Sequence, residues 1–447
     1  MNSEGRQNPI TRFVKVATKI EQNELKATLL SFLFVFSIMV AYFILRPVRD
    51  ALSSDWTDEE LSWLWTSTFF FSAIAVSIYG AVISHLRFKV IVPGVYIFFS
   101  LSFVGFYVAG VTLGENDLVN RVYYVWASVF GLFHLSVFWT FMSGLYNRDQ
   151  SKRLFSVIGL GATAGAIVGP AFVTLFANQI GSLNMLLVSA ALLLVPIPII
   201  SSLDQLRTSD LGNPDAQADL LRDGKLSVNP FSGFTRFLSN PYLLWIGLFI
   251  LLYVMMNTFL YYEIRKAVAD LDRGQRAQIW ASIDLAVNLL AAVTALFATG
   301  RLTTRFGMAK TLALVPLVMA VGWAAVAISP AAITVVIVQV IRRAGNYSIT
   351  RPGREMLFTL VDNETRFKAK PVIDTVVYRG GDVATAWFYT TIVSVFGLGL
   401  AGLAIVGAFF ATLWAVVGAY LGGRFERESL AAAEKSQGME VTQNDNA

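Results

Sequence analysis

Cysteine is absent from the chain, so disulfides, thiolate metal sites and a cysteine nucleophile are excluded, while the redox compartment stays undetermined. Histidine is nearly absent as well. His85 and His134 leave no H-x-x-E-H or similar zinc spacing, and no G-x-x-x-x-G-K-[ST] loop is present for ATP hydrolysis. Without a nucleophile and base pair or a metal constellation, the chain does not read as an enzyme, and no cofactor or metal is expected. Charge is scarce, at 15% of residues against about 25% in soluble globular domains.

Apolar residues take the place of the missing charge. They make up 55% of the chain, Phe alone occurs 34 times, and the mean hydropathy is +0.59. They fall in runs of about 20, the length that crosses a bilayer, rather than in the periods of half-buried elements. The expected fold is all-α integral membrane, with about twelve transmembrane helices. The runs lie near 27–45, 61–84, 90–111, 122–145, 155–177 and 183–201, then near 242–262, 279–299, 310–328, 332–349, 383–396 and 398–421. Residues 203–240 carry Asp204, Arg207, Asp210, Asp215, Asp219, Arg222, Asp223 and Lys225 and cannot cross.

The resulting plan is a cytoplasmic N-terminal tail at 1–26, a six-helix half at 27–202, a cytoplasmic linker at 203–240, a second six-helix half at 241–425 and a disordered cytoplasmic tail at 426–447. The N-terminal tail holds Arg6, Arg12, Lys15 and Lys19 without a small-residue cleavage pattern. With both termini inside, most of the 35 Lys and Arg fall on the cytoplasmic side, among them Arg87, Lys89, Arg148, Lys152, Arg153, Arg301, Arg305 and Lys310. The net charge of +5 is thus a matter of topology, and no nucleic-acid partner is expected.

Six spans, a polar linker and six more spans resemble the major facilitator architecture, two six-helix halves that rock about a central site. His85 to Lys89 follows the second span, and Gly300 to Gly307 follows the eighth, the matching place. The second of these resembles the superfamily's small-and-basic turn signature. A plain positive-inside loop would look alike at either place alone.

Ionisable residues within spans are costly and few, so each needs a reason. Arg46, Pro47, Arg49 and Asp50 close the first span; the arginines suit a carboxylate or phosphate, or else snorkel with Asp50 as their partner. His134, midway along the fourth span, is either a packed neutral histidine or a proton coupler. Asp284 and Asn288 share a face of the eighth span, where Asp284 could couple a cation or pair with an arginine of another helix. Asn257 and Glu263 in the seventh span are weaker candidates. In the fifth span, Gly159, Gly161, Gly165 and Gly169 favour close helix packing. The basic cytoplasmic loop at 342–382 alternates Arg and Lys with Asp and Glu, which suits a latch, a polyanion site or a merely solvated loop, and Asp382 at its end is a gating candidate.

Several of these stretches resemble the ATP/ADP translocase family of nucleotide antiporters: Tyr42 to Asp50, Phe138-Trp139 with Asn147 to Gly161, and Arg351-Pro352 to Asp382. The resemblance implies substrate-binding roles for Arg49 and for Arg379. Ala127 stands where nucleotide-transporting members have a glutamate, and Leu260 lies near a second such position with Glu263 offset, so basic residues are kept while acidic ones are lost.

The expected function is a secondary active transporter of the bacterial inner membrane, working by alternating access, as a monomer, on an anionic organic solute such as a nucleotide. Arg46, Arg49 and Arg379 would bind the anion, with Asp284, His134, Asn288 and Asp382 for coupling or gating. A proton-coupled transporter of another solute and a non-transporting receptor or assembly partner are the alternatives.

Overall fold

The computed structural model describes residues 20–83, 88–213, 232–297 and 299–444. The basic residues of the N-terminal tail, the turn residues His85 and Arg87, and the linker charges from Asp215 to Lys225 lie outside the described residues.

All regular structure among the described residues is helical. In chain order the long helices are α1 (Leu25–Leu52), α2 (Asp58–Ile83), α3 (Phe88–Leu113), α4 (Asp117–Leu145), α5 (Arg148–Ile180), α6 (Asn184–Ser209), α7 (Pro241–Ala267), α8 (Arg273–Phe297) and α9 (Thr299–Ile328). A short helix, Ser232–Ser239, precedes α7. Their ends follow local chemistry. Asn116 caps α4 through Val119 N, Asn147 and Gln150 form a capping box on α5, and Asn240 caps α7 ahead of Pro241. Gly307 breaks α9 with a φ of 81°, a conformation open to glycine, at the turn foreseen after the eighth span.

Among the described residues, ten helices are long and apolar enough to cross a membrane. Two more helices, α10 and α11, are not among those ten. Helix α10 runs through Ala332–Gly345, a π-helical turn at Asn346–Thr350 and Arg351–Leu357. Helix α11 runs through Asn363–Pro371, a second π turn at Val372–Val377 and Tyr378–Phe396. The expected cytoplasmic loop at 342–382 is therefore mostly helix, with only a short connection around Val361 that Asp362 ends by capping Thr365 N. Arg, Lys and Glu are good helix formers, so charge marked solvent preference there but did not mark a break. The tail after 425, expected to be disordered, continues α12 (Leu400–Asn444). An Arg424 to Glu428 pair at 2.6 Å supports that continuation, and Ala431 to Ala433 favour it.

The described residues divide between two compact units, one within Met1–Ser53, Phe70–Ser227 and Leu271–Leu285, the other within Ser54–Phe69, Val228–Asp270 and Ala286–Ala447. The first turns of α2 thus belong with α7 to α12, and those of α8 with α1 to α6. In the first unit α1 lies against α5 along the glycine face. A Cβ at Gly161 would sit 2.6 Å from Phe32 O, one at Gly165 2.6 Å from Phe36 O and one at Gly169 2.9 Å from Val40 O, so only glycine admits this approach. In the second unit α12 meets α9 in the same manner: a Cβ at Gly418 would sit 2.8 Å from Leu312 O, and one at Gly422 would collide with Ala309 Cα.

Candidate functional site

In the first unit, α1 and the start of α8 bring two arginines and two aspartates together. Arg49 donates to Asp50 Oδ1 through Nε at 3.0 Å and Nη2 at 2.5 Å, and through Nη1 to Ser128 Oγ of α4 at 3.2 Å. Its guanidinium lies 5.5 Å from the Tyr124 ring. Arg46, one turn earlier, sits 3.6 Å from Asp50 and 3.7 Å from Asp284. Both carboxylates are only 2% exposed. Two arginines and two aspartates therefore balance in a low-dielectric setting, where each partner removes much of the other's burial cost. Asp284 takes the bridging role weighed for it, a pair with an arginine of another helix. Asn288 is half-buried one turn on, in the part of α8 that belongs to the second unit.

His134 does not join this cluster. Its ring stacks on Tyr42 with centroids 4.2 Å apart and an angle of 13°, beside Phe130 at 5.5 Å, and Tyr96 Oη donates to its backbone carbonyl at 2.9 Å. Gly131 makes room for Tyr42. Of the two readings of His134, this is the packed one.

In the second unit, α7, α10 and α11 build a more basic group. Arg342 is wholly buried and Arg343 is 3% exposed, midway along α10. Arg342 donates through Nε to Gln339 Oε1 at 3.0 Å and through Nη2 to Asn257 Oδ1 at 2.6 Å, and its guanidinium lies 5.0 Å from the Tyr253 ring. On α11, Arg379 and Asp382 pair at 3.6 Å, one turn apart. Thr258 and Thr385 share a buried hydrogen bond at 2.8 Å that ties α7 to α11. The stretch beyond the π turns is better balanced: Arg354 contacts Glu355 and Asp374 at 3.1 and 3.4 Å, and Lys370 donates to Glu355. Burial pushes Glu355 upward, but hydrogen bonds from Lys370 and Arg354 outweigh it and hold its carboxyl below its ordinary range.

A separate network in the same unit joins the start of α2 to α7 and α11. Arg265, 3% exposed, pairs with Asp58 and donates to Trp56 O at 2.5 Å; Lys266 reaches Asp58 at 2.9 Å and Tyr389 Oη at 2.8 Å; Glu263 accepts from Tyr389. Ser62 shares hydrogen bonds of 2.9 Å with Tyr262 and Thr390. Glu263, a weaker candidate by sequence, is a part-buried member of this network, its side chain 12% exposed.

Residues 27–353 match the family described as the Major Facilitator Superfamily. The chain belongs to that superfamily. No curated protein matches it in sequence. Solved structures share its fold: a bacterial homologue of the iron transporter ferroportin (14% identity, 90% of this chain and 100% of that one, TM-score 0.58), a bacterial metal transporter (14%, 90% and 98%, 0.55) and the xylose transporter XylE from E. coli (11%, 88% and 97%, 0.57). At these identities the likeness concerns fold. The chain is a multi-pass membrane protein of a transporter superfamily rather than an enzyme, and the match does not single out the ATP/ADP translocases.

Within this facilitator fold, the expected site residues divide. Arg46, Arg49, Asp50 and Asp284 come together; Arg379 and Asp382 come together elsewhere; His134 stands with neither. Sequence reasoning missed Arg342, Asn257 and Gln339 as one constellation. The signal was present: a helix counted on from Ala332 for the length of a span passes Arg342 before it ends.

Proposed function

We propose that the chain is a secondary active transporter of an anionic organic solute, working by alternating access as a monomer in a bacterial inner membrane, with both termini cytoplasmic. The observation that carries the reading is the buried guanidinium of Arg342 on α10, which among the described residues has no carboxylate within ion-pair distance, in the same unit as the Arg379 and Asp382 pair of α11. Buried positive charge of this kind favours an anion as cargo, since ionisable groups at membrane depth mark solute and ion pathways. Arg379 binds the anion and Asp382 is its internal competitor. In the other unit Arg46 and Arg49 are held by Asp50 and Asp284, an arrangement suited to coupling, because an anion or proton arriving there redistributes a balanced set of charges.

ATP/ADP exchange is the specific form of this reading that the resemblance favours. Purified protein in liposomes, preloaded with ADP and supplied with labelled ATP, tests it. Exchange that needs internal nucleotide supports an antiporter; flux of other organic anions without nucleotide exchange retains the anion and removes the nucleotide. Flux driven by a pH gradient alone, lost in Asp284→Asn, supports the proton-coupled alternative, which the buried Asp284 to Arg46 pair favours.

A further inference from the structure

We infer that Arg342 is the ligating centre of the anion site, held ready by neutral partners and completed by an anionic oxygen group of the solute. The inference rests on the reading of the chain as an anion transporter and names the residue and the group it takes.

Arg342 is unusual among the buried cations of the chain. Its side chain is wholly enclosed, yet among the described residues none of its nitrogens lies within ion-pair distance of a carboxylate. Its two hydrogen bonds go to amide oxygens, those of Gln339 and Asn257, and its flat face meets the Tyr253 ring. The third nitrogen, Nη1, is buried without a hydrogen-bond partner. Arg265 and Arg46, by contrast, each have a carboxylate within 4 Å. Asp382 attracts Arg342 but is itself paired with Arg379, and a buried guanidinium with no carboxylate in contact is expensive, so a purely structural arginine would be cheaper as a neutral residue of similar shape. Amides orient the fork without cancelling its charge, which leaves the charge available to a carboxylate or phosphoryl group that guanidinium geometry matches.

The helix also has a means of turning Arg342 toward an incoming group. Helix α10 passes into a π turn just beyond Arg343, and α11 leaves one just before Arg379. A π turn carries an extra residue, and such turns recur at functional sites. Shifting one back to α geometry would rotate the preceding arginines relative to their neighbours.

The discriminating variant is Asn257→Asp, which keeps the size of the side chain and places a carboxylate where an amide now accepts from Arg342. The full-length protein in detergent is titrated with inorganic phosphate or with succinate, against sodium chloride at matched ionic strength, and thermal stability is followed. The wild type is expected to gain stability with at least one of the two anions, and which one distinguishes a phosphoryl from a carboxylate cargo. N257D is expected to be more stable without ligand and to need about tenfold more of that anion for the same gain. Arg342→Gln should lose the gain altogether, and should it fail to fold, N257D still decides, since it removes no cation. An anion response unchanged in N257D, or no response in the wild type to either anion, overturns the inference. Organic-anion flux that persists in N257D liposomes removes Arg342 from the site while leaving the transport reading intact. A response sensitive to N257D in a protein without flux does the reverse.

Discussion

Helices α1 and α10 both carry closely spaced arginines, and they meet the cost of that charge in different ways. On α1, Arg46 and Arg49 are matched by two buried carboxylates, Asp50 and Asp284. On α10, Arg342 is held by amides and an aromatic ring, and the nearest acid of the group, Asp382, is engaged with Arg379. A balanced cluster resists the removal of any member. An unbalanced one waits for a charge from elsewhere. The contrast teaches that buried arginines in one fold need not share a role, and that the counter-ion census, more than the arginine itself, separates coupling from binding.

The largest expected effect breaks the balanced cluster. Asp284→Ala removes one of the carboxylates that Arg46 meets and should cost about 3 kcal/mol of stability, measured by unfolding in detergent. A loss no greater than that of a surface substitution would show that the two clusters do not differ in this respect. Next comes helix contact. Gly165→Leu forces a side chain against the Phe36 carbonyl and should cost about 2 kcal/mol or abolish expression, as should Gly422→Leu on α12, because both units use the same kind of glycine seam. Unequal costs would show that one seam has room to relax.

Asp382→Asn sharpens the comparison from the other side. Removing the competitor of Arg379 should tighten anion binding about threefold, a modest figure because the pair is long and partly exposed, and anion titration reads it directly. The equivalent Asp50→Asn on α1 should weaken function instead. His134→Phe is expected to cost less than about 1.5 kcal/mol and to leave the pH profile of flux unchanged, since the ring serves as a stacking partner of Tyr42. A profile that moves would return His134 to the coupling group. The smallest effect concerns Glu355. Its folded-state carboxyl is held below the ordinary value of 4.5, so its contribution is present above that pH and is lost as pH falls through the lower, folded-state value. E355Q should flatten that acid-side loss slightly in a stability profile.

Much of the fold could be read from the chain, because crossing a bilayer imposes a length and an apolarity that leave few alternatives. Among the described residues, ten helices satisfy both plainly. The glycine run from Gly161 to Gly169 announced a close helix contact, and α1 supplies it. Charge misled where it was used as punctuation. Arg342 to Asp382 read as a loop because basic residues gather in cytoplasmic connections, yet most of that stretch is helix and its first arginines are interior. The tail beyond Arg424 shows the same lesson in polar form, since hydrophilic residues with good helix propensity extend α12 without a hydrophobic reason to do so.

The sequence alone determined that this chain is a helical membrane protein in the layout of the facilitator superfamily, since the hydrophobic runs and basic bias are local properties counted along the chain. Pairing was decided only by tertiary structure. Nothing along the chain says that Asp284 meets Arg46, across well over two hundred residues, or that Arg342 is met by Asn257 rather than by an acid. The worth of a buried charge lies in its neighbours, and neighbours on different helices are set by packing that no single run of residues encodes.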